Sequence, residues 1–191
     1  HQMGALCADP AWQGTSLARA KQVSGKELSY NNLLDLDGAL ALVMEFDEPA
    51  AVGVKHTTPC GCAVGPSLGD AFARAYAGDP LSAFGCIVAL NRECDADTAR
   101  KVIEGDKFLE AIVAPSFDAD ALRIITQDTP KKWAKSIRLL EAGEMRRPDN
   151  AFELRSVLGG VLLQARDGQV IDNAELKVVT KAKPDDATMR E

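Results

Sequence analysis

Three short runs of almost unbroken apolar residues, each bounded by turn formers, constrain this chain more than any other feature: Ala50-Ala51-Val52-Gly53-Val54-Lys55, Cys86-Ile87-Val88-Ala89-Leu90 and Ala111-Ile112-Val113-Ala114. A strand that is apolar at successive positions must be covered on both faces, so each run reads as a strand inside a sheet layered by helices. The segments between them carry the helical period. Leu33, Leu36, Leu40 and Val43 share one face, with Asn31 or Asn32 as the expected cap, Asp35 suited to the first turn and Pro49 beyond the end. Ser67 to Ala77 repeats the pattern with Ser67 as cap and Leu68, Ala71, Phe72 and Ala75 inside. Asp95 to Glu104 and Asp118 to Thr126 are shorter helices, the first capped by Asp95. Alternation of this kind predicts an α/β fold with a mostly parallel sheet and helices on both faces.

The last third departs from the alternation. Ser136–Leu140, Glu153–Gln164 and Leu176–Val179 read as extended, Gly159-Gly160 suggests a bulge or a close backbone approach, and residues 141–150 form a polar connection. Residues 1–28 have weak periodicity and read as an extended opening segment, residues 29–184 as one domain, and 185–191 as a tail.

The chain has 191 residues, 46% of them hydrophobic and 26% charged, with 22 Lys+Arg against 28 Asp+Glu and a formal charge of −6. A chain of this size buries a substantial core, and this composition excludes disorder. An acidic balance without a basic cluster argues against nucleic-acid binding, which rests on phosphate neutralisation. No apolar run approaches the ~20 residues of a spanning helix, and no signal-peptide pattern opens the sequence, so the expectation is a cytoplasmic protein without membrane contact. Five cysteines (Cys7, Cys60, Cys62, Cys86, Cys94) then read as reduced thiols. A zinc deaminase would carry His-x-Glu followed by Pro-Cys-x-x-Cys. Here Pro59-Cys60-Gly61-Cys62 has a single intervening residue, and no His-x-Glu precedes it, so no metal is expected.

Reactive groups in α/β sheets gather at the carboxyl ends of strands, and Lys55-His56 stands at the end of the first apolar run. The pair also reads as a surface lysine beside a structural histidine. Consecutive strand residues point to opposite faces, so both serve one site only if the backbone bends there, which a loop over His56-Thr57-Thr58-Pro59-Cys60-Gly61 permits. Ser82-Ala83-Phe84-Gly85 reads either as an ordinary loop with an anchoring Phe or as one whose Gly85 lets a planar ligand or a phosphate approach the backbone. Glu110 heads the third run and is either solvated or an acceptor for ligand hydroxyls and amines. Asn32, in Ser29-Tyr30-Asn31-Asn32, is a helix cap or a ligand contact.

The combination is more specific than its parts. Gly25-Lys26-Glu27-Leu28-Ser29-Tyr30-Asn31-Asn32, Lys55-His56-Thr57-Thr58-Pro59-Cys60-Gly61, Asp79-Pro80-Leu81-Ser82-Ala83-Phe84-Gly85-Cys86 and Ile112-Val113-Ala114-Pro115-Ser116-Phe117 occur in that order. The chain thereby resembles the first half of the AICAR transformylase domain of the bifunctional AICAR transformylase/IMP cyclohydrolase family. Gly159-Gly160-Val161-Leu162-Leu163-Gln164 and Val178-Val179-Thr180-Lys181-Ala182-Lys183-Pro184 resemble it too, and His1-Gln2 resembles the end of that family's Arg-Tyr-Gly-x-Asn-Pro-His-Gln motif.

The resemblance implies a zinc-free, cytidine-deaminase-like α/β/α fold. It implies formyl transfer from 10-formyltetrahydrofolate, as co-substrate, to the 5-amino group of AICAR ribonucleotide, giving FAICAR. It assigns His56 as proton acceptor, Lys55 as transition-state stabiliser, and Asn32, Gly85 and Glu110 as nucleotide contacts. It further implies a homo-oligomer, or a complementary chain supplying the folate half. The alternative is a non-catalytic nucleotide-binding or interaction module that lacks that half.

Overall fold

The computed structural model describes residues 4–147, 151–167 and 177–189. The chain divides into two compact units, His1–Ala151 and Phe152–Glu191. In the first unit the elements run β1 (Lys21–Ser24), α1 (Tyr30–Val43), β2 (Ala50–Lys55), β3 (Thr58–Val64), α2 (Leu68–Gly78), α3 (Pro80–Ala83), β4 (Cys86–Leu90), α4 (Ala96–Ile103), β5 (Leu109–Ala114), α5 (Ala119–Thr126) and β6 (Arg138–Glu141). The second unit holds a hairpin of β7 (Phe152–Val157) and β8 (Gly160–Ala165).

The six strands of the first unit form one sheet in the order β1-β6-β5-β4-β2-β3. β4, β5 and β6 are parallel neighbours; β1 is antiparallel to β6, and β2 is antiparallel to both β4 and β3. Four of the six strands (β3, β4, β5, β6) therefore point one way, while three of the five pairings are antiparallel. The direction of β2 follows from the chain. It joins β3 through a two-residue turn, and so short a connection produces only antiparallel pairing.

The apolar runs alternate between two cores, as the period of a strand requires. Ala50, Val52 and Val54 of β2, Ile87 and Ala89 of β4, and Ala111 and Val113 of β5 pack under Leu36, Ala39, Leu40 and Val43 of α1. Ala51, Cys86, Val88, Leu90, Ile112 and Ala114 face the other way, onto Phe72 of α2, Ala99 and Val102 of α4, and Ile124 and Ile125 of α5. Three layers result, with α1 on one face and α2, α4 and α5 on the other. The buried Asn91, just past β4, ties the loop before β2 to the sheet. Its Oδ1 accepts from the Ala50 N–H at 2.8 Å, and its Nδ2 donates to the carbonyls of Phe46 and Glu48 at 3.0 and 2.7 Å.

Several expectations change. Ser29 caps α1, rather than Asn31 or Asn32. Its hydroxyl accepts from the Asn32 N–H while the Asn32 side chain accepts from the Ser29 N–H, a reciprocal capping box. With the helix starting at Tyr30, Asp35 falls in its second turn, beyond the first-turn position in which a carboxylate best complements the helix dipole. The loop expected over His56–Gly61 is only two residues long, and Thr58–Val64 is strand. Pro59 and Gly61 signal a loop in isolation. β3 is an edge strand, where a missing N–H is tolerated, and Gly61 is where α2 crosses: a Cβ there would lie 1.8 Å from the Ala75 carbonyl oxygen. Gly159 is not a bulge. It sits at φ +77° in the Leu158-Gly159 turn, and Val157 pairs with Gly160. Lys177–Val179 are not in a strand, and Leu176 and His1-Gln2 lie outside the described residues. The opening segment 1–28 contributes β1 to the sheet edge. Among the described residues no helix is long and apolar enough to cross a membrane.

Candidate active site

The reversed direction of β2 decides where the candidate residues meet. Lys55-His56 lies at the carboxyl end of β2, and that end adjoins the amino ends of β4, β5 and β6: Val54 pairs with Ile87, Cys86 with Leu109, and Ala111 with Arg138. Gly85 immediately precedes β4 and Glu110 is the second residue of β5. Lys55, His56, Gly85 and Glu110 thus share one edge of the sheet. For the parallel trio it is the amino-terminal edge, the reverse of the carboxyl-end placement that a uniformly parallel sheet would give.

His56 and Thr57 form the β2–β3 turn, both left-handed, at φ 55° and 59°. Two successive positive φ values define a type I′ turn, whose twist matches that of the flanking strands and which ordinarily recruits Asn-Gly. Histidine enters this region more readily than most side chains, but for the β-branched Thr57 it is a strained conformation. The backbone therefore turns at His56, which leaves the strand's alternation at once. Its side chain is exposed, and its ring makes no hydrogen bond among the described residues. The strain is met by α1. The Asp35 carboxylate accepts from the His56 N–H at 3.2 Å and from the Thr57 N–H at 2.6 Å. The Thr57 hydroxyl donates to the His56 carbonyl at 2.7 Å.

Lys55 is partly buried, and its Nζ donates to the Phe84 carbonyl at 2.7 Å, which brings the ammonium beside Gly85. Gly85 has φ +78°, its N–H donates to the Phe108 carbonyl at 2.8 Å, and the Phe84 and Phe108 rings pack at 5.4 Å. A left-handed residue at this corner is natural only for glycine. Glu110 is the extra residue of a bulge between β4 and β5, since Cys86 pairs with Leu109 but Ile87 with Ala111. Bulges re-aim side chains. Its carboxylate receives the largely buried Arg138 guanidinium at 2.8 Å, and Arg138 also donates to the Glu27 carbonyl at 2.9 Å. Lys26, Phe108, Glu110, Ser136 and Arg138 line a cleft of about 320 Å³ there.

Asn32 stands one helical turn before Asp35, on the same side of α1, and its side-chain oxygen is committed to the capping box. The sulfurs of Cys60 and Cys86 lie over Gly53, each 3.4 Å from where its Cβ would be. Burial pushes both thiols up, Cys86 furthest, so they stay protonated at neutral pH and are poor nucleophiles.

The structure brings Lys55 to the Phe84-Gly85 corner and the His56 backbone to Asp35 in the second turn of α1. Glu110 pairs with Arg138 rather than with Lys55 or His56. Sequence reasoning missed Asp35 and Arg138 as parts of this edge. Each acts on a group far along the chain, 21 residues from Asp35 to His56 and 28 from Glu110 to Arg138, and no local pattern encodes such a pairing.

Among known families, a model described as the AICARFT/IMPCHase bienzyme matches residues 1–191. A "Bifunctional purine biosynthesis protein PurH" of Lacticaseibacillus paracasei is 46% identical over 191 residues, all of this chain and 36% of the relative. Proteins of the same description from Oceanobacillus iheyensis and Rhodopirellula baltica are 47% and 43% identical over 96% and 97% of this chain, or 34% and 35% of their own lengths. The chain spans roughly a third of the length of these curated relatives.

Proposed function

Because the chain belongs to the AICARFT/IMPCHase bienzyme family, we propose that it provides the nucleotide side and the acid–base groups of a formyl transfer in purine biosynthesis. The donor is 10-formyltetrahydrofolate, the acceptor is the 5-amino group of AICAR ribonucleotide, and the product is FAICAR. The full-length family match is the observation that carries this reading. The three layers described above agree with the cytidine-deaminase-like fold we assign to it.

The acceptor amine is a weak nucleophile, because its lone pair delocalises into the imidazole ring and the carboxamide. His56 is the group that removes the amine proton as the new C–N bond forms, a task that exposed imidazole side chains perform as general bases. Attack places negative charge on the formyl oxygen, and the Lys55 ammonium stabilises it. The tetrahedral adduct then expels N10 of the folate, which takes up the proton that His56 holds. The atoms balance without a metal or a redox partner. Gly85, beside the ammonium, admits the nucleotide to the backbone. Glu110 offers acceptor oxygens to it with Arg138 fixing its orientation, and Asn32 contacts it from α1. The folate half comes from a further segment or a partner copy in a homo-oligomer.

Isothermal titration of the 191-residue chain with AICAR ribonucleotide and, separately, with 10-formyltetrahydrofolate tests the reading. The expected result is saturable binding of the ribonucleotide, with the folate bound weakly or not at all. Binding of neither ligand would favour a non-catalytic module.

A further inference from the structure

We propose that Asp35 is the positioning residue of this site: its carboxylate clamps the left-handed His56-Thr57 turn and so sets where the imidazole stands. The inference rests on the formyl-transfer reading for its catalytic consequence, but the clamp itself stands on geometry. Two consecutive non-glycine residues adopt positive φ, at 55° and 59°, and the second is the β-branched Thr57, for which that region is strained. Backbone in such a state persists only where the surroundings over-determine it. The over-determination is visible. Both N–H groups of the turn point at one carboxylate, at 3.2 and 2.6 Å, and hydrogen bonds to an ionised acceptor are about twice as strong as neutral ones. Successive N–H groups in a turn form a concavity suited to an anion, and Asp35 fills it from within the protein.

The carboxylate is itself fixed. It projects from a 14-residue helix closed by a capping box, and the neighbouring Leu36, Ala39, Leu40 and Val43 are almost wholly inaccessible. The position of His56 is thereby referred to the rigid α1–sheet interface rather than to an exposed hairpin. Without the clamp, the two N–H groups turn to water and the hairpin relaxes toward negative φ, which moves the imidazole. Misplacing a reacting group by about 1 Å costs on the order of 10²-fold in rate.

Two readouts, taken on Asp35→Ala, Asp35→Asn and Asp35→Ala/Thr57→Gly, test the proposal. The first is amide hydrogen exchange at His56 and Thr57 in the 191-residue chain. Asp35→Ala should accelerate both amides relative to the rest of β2 and β3, Asp35→Asn less so because one acceptor oxygen remains. The second is kcat and KM in an assembly that carries out the transfer. Asp35→Ala should lower kcat by on the order of 10²-fold with KM for the ribonucleotide little changed. Adding Thr57→Gly, which removes the steric cost of positive φ, should recover about tenfold or more. Unchanged exchange in Asp35→Ala would overturn the clamp whether or not the parent chain is a transferase. Accelerated exchange with parental kcat, or a kcat loss that Thr57→Gly does not relieve, would overturn its positioning role. Absence of transfer by the parent assembly would defeat the formyl-transfer reading and with it the catalytic half of this proposal, while the exchange result still decides the clamp.

Discussion

On the proposed formyl-transfer reading, His56→Ala is expected to lower the rate of FAICAR formation by about 10²–10⁴-fold, the range that a positioned general base contributes. The loss should fall on kcat, because on this reading the imidazole acts on the amine proton only as the C–N bond forms, and an interaction confined to the transition state leaves KM largely alone. The fold survives the substitution. The side chain is exposed, its ring bonds to nothing among the described residues, and the turn is held by backbone N–H groups that alanine retains. Initial-rate measurements on an assembly competent in transfer, paired with a circular-dichroism melt, separate the two effects. Full activity in a folded variant would remove His56 from the mechanism.

Lys55→Met is the second large effect, a fall of about 10²–10³-fold in kcat, the usual consequence of deleting one donor to a developing oxyanion. Methionine keeps most of the aliphatic stem, so the packing of the partly buried side chain is largely preserved and the charge alone is lost. Lys55→Arg does not restore the rate. The Nζ now sits on the Phe84 carbonyl at 2.7 Å as a compact point donor, and a planar guanidinium fork cannot take that place without moving the Phe84-Gly85 corner. Single-turnover kinetics with saturating substrates check this. A Met variant with parental single-turnover rate would assign Lys55 to packing.

The buried strands were open to reading from the sequence because their apolar runs are continuous, and the helix starts at Ser67, Asp95 and Asp118 because each cap accepts from a backbone N–H within its own first turn. Both signals are local. The direction of β2 was hidden because Pro59 and Gly61 carry loop signatures that tertiary context overrides. An edge position excuses the proline, and the passage of α2 demands the glycine. Once β3 is read as loop, the hairpin disappears, β2 defaults to parallel, and Lys55-His56 falls at the carboxyl ends of the neighbouring strands, away from Gly85 and Glu110 at their amino ends. Asp35 is the same lesson at one residue. Counted along the helix it suits a dipole partner; in space it serves a turn 21 residues away. Lys55-His56 drew notice for a different reason, since a basic pair closes a buried apolar strand just before a turn, a pattern that a surface lysine beside a structural histidine also fits.

The most direct measurement is a crystal structure of the chain with AICAR ribonucleotide bound. The account predicts a ring nitrogen of His56 within about 2.6–3.2 Å of the 5-amino nitrogen, with the Lys55 ammonium on the same side of that amine. A ribonucleotide seated away from the β2–β3 turn, or with its amine directed away from both groups, would contradict it.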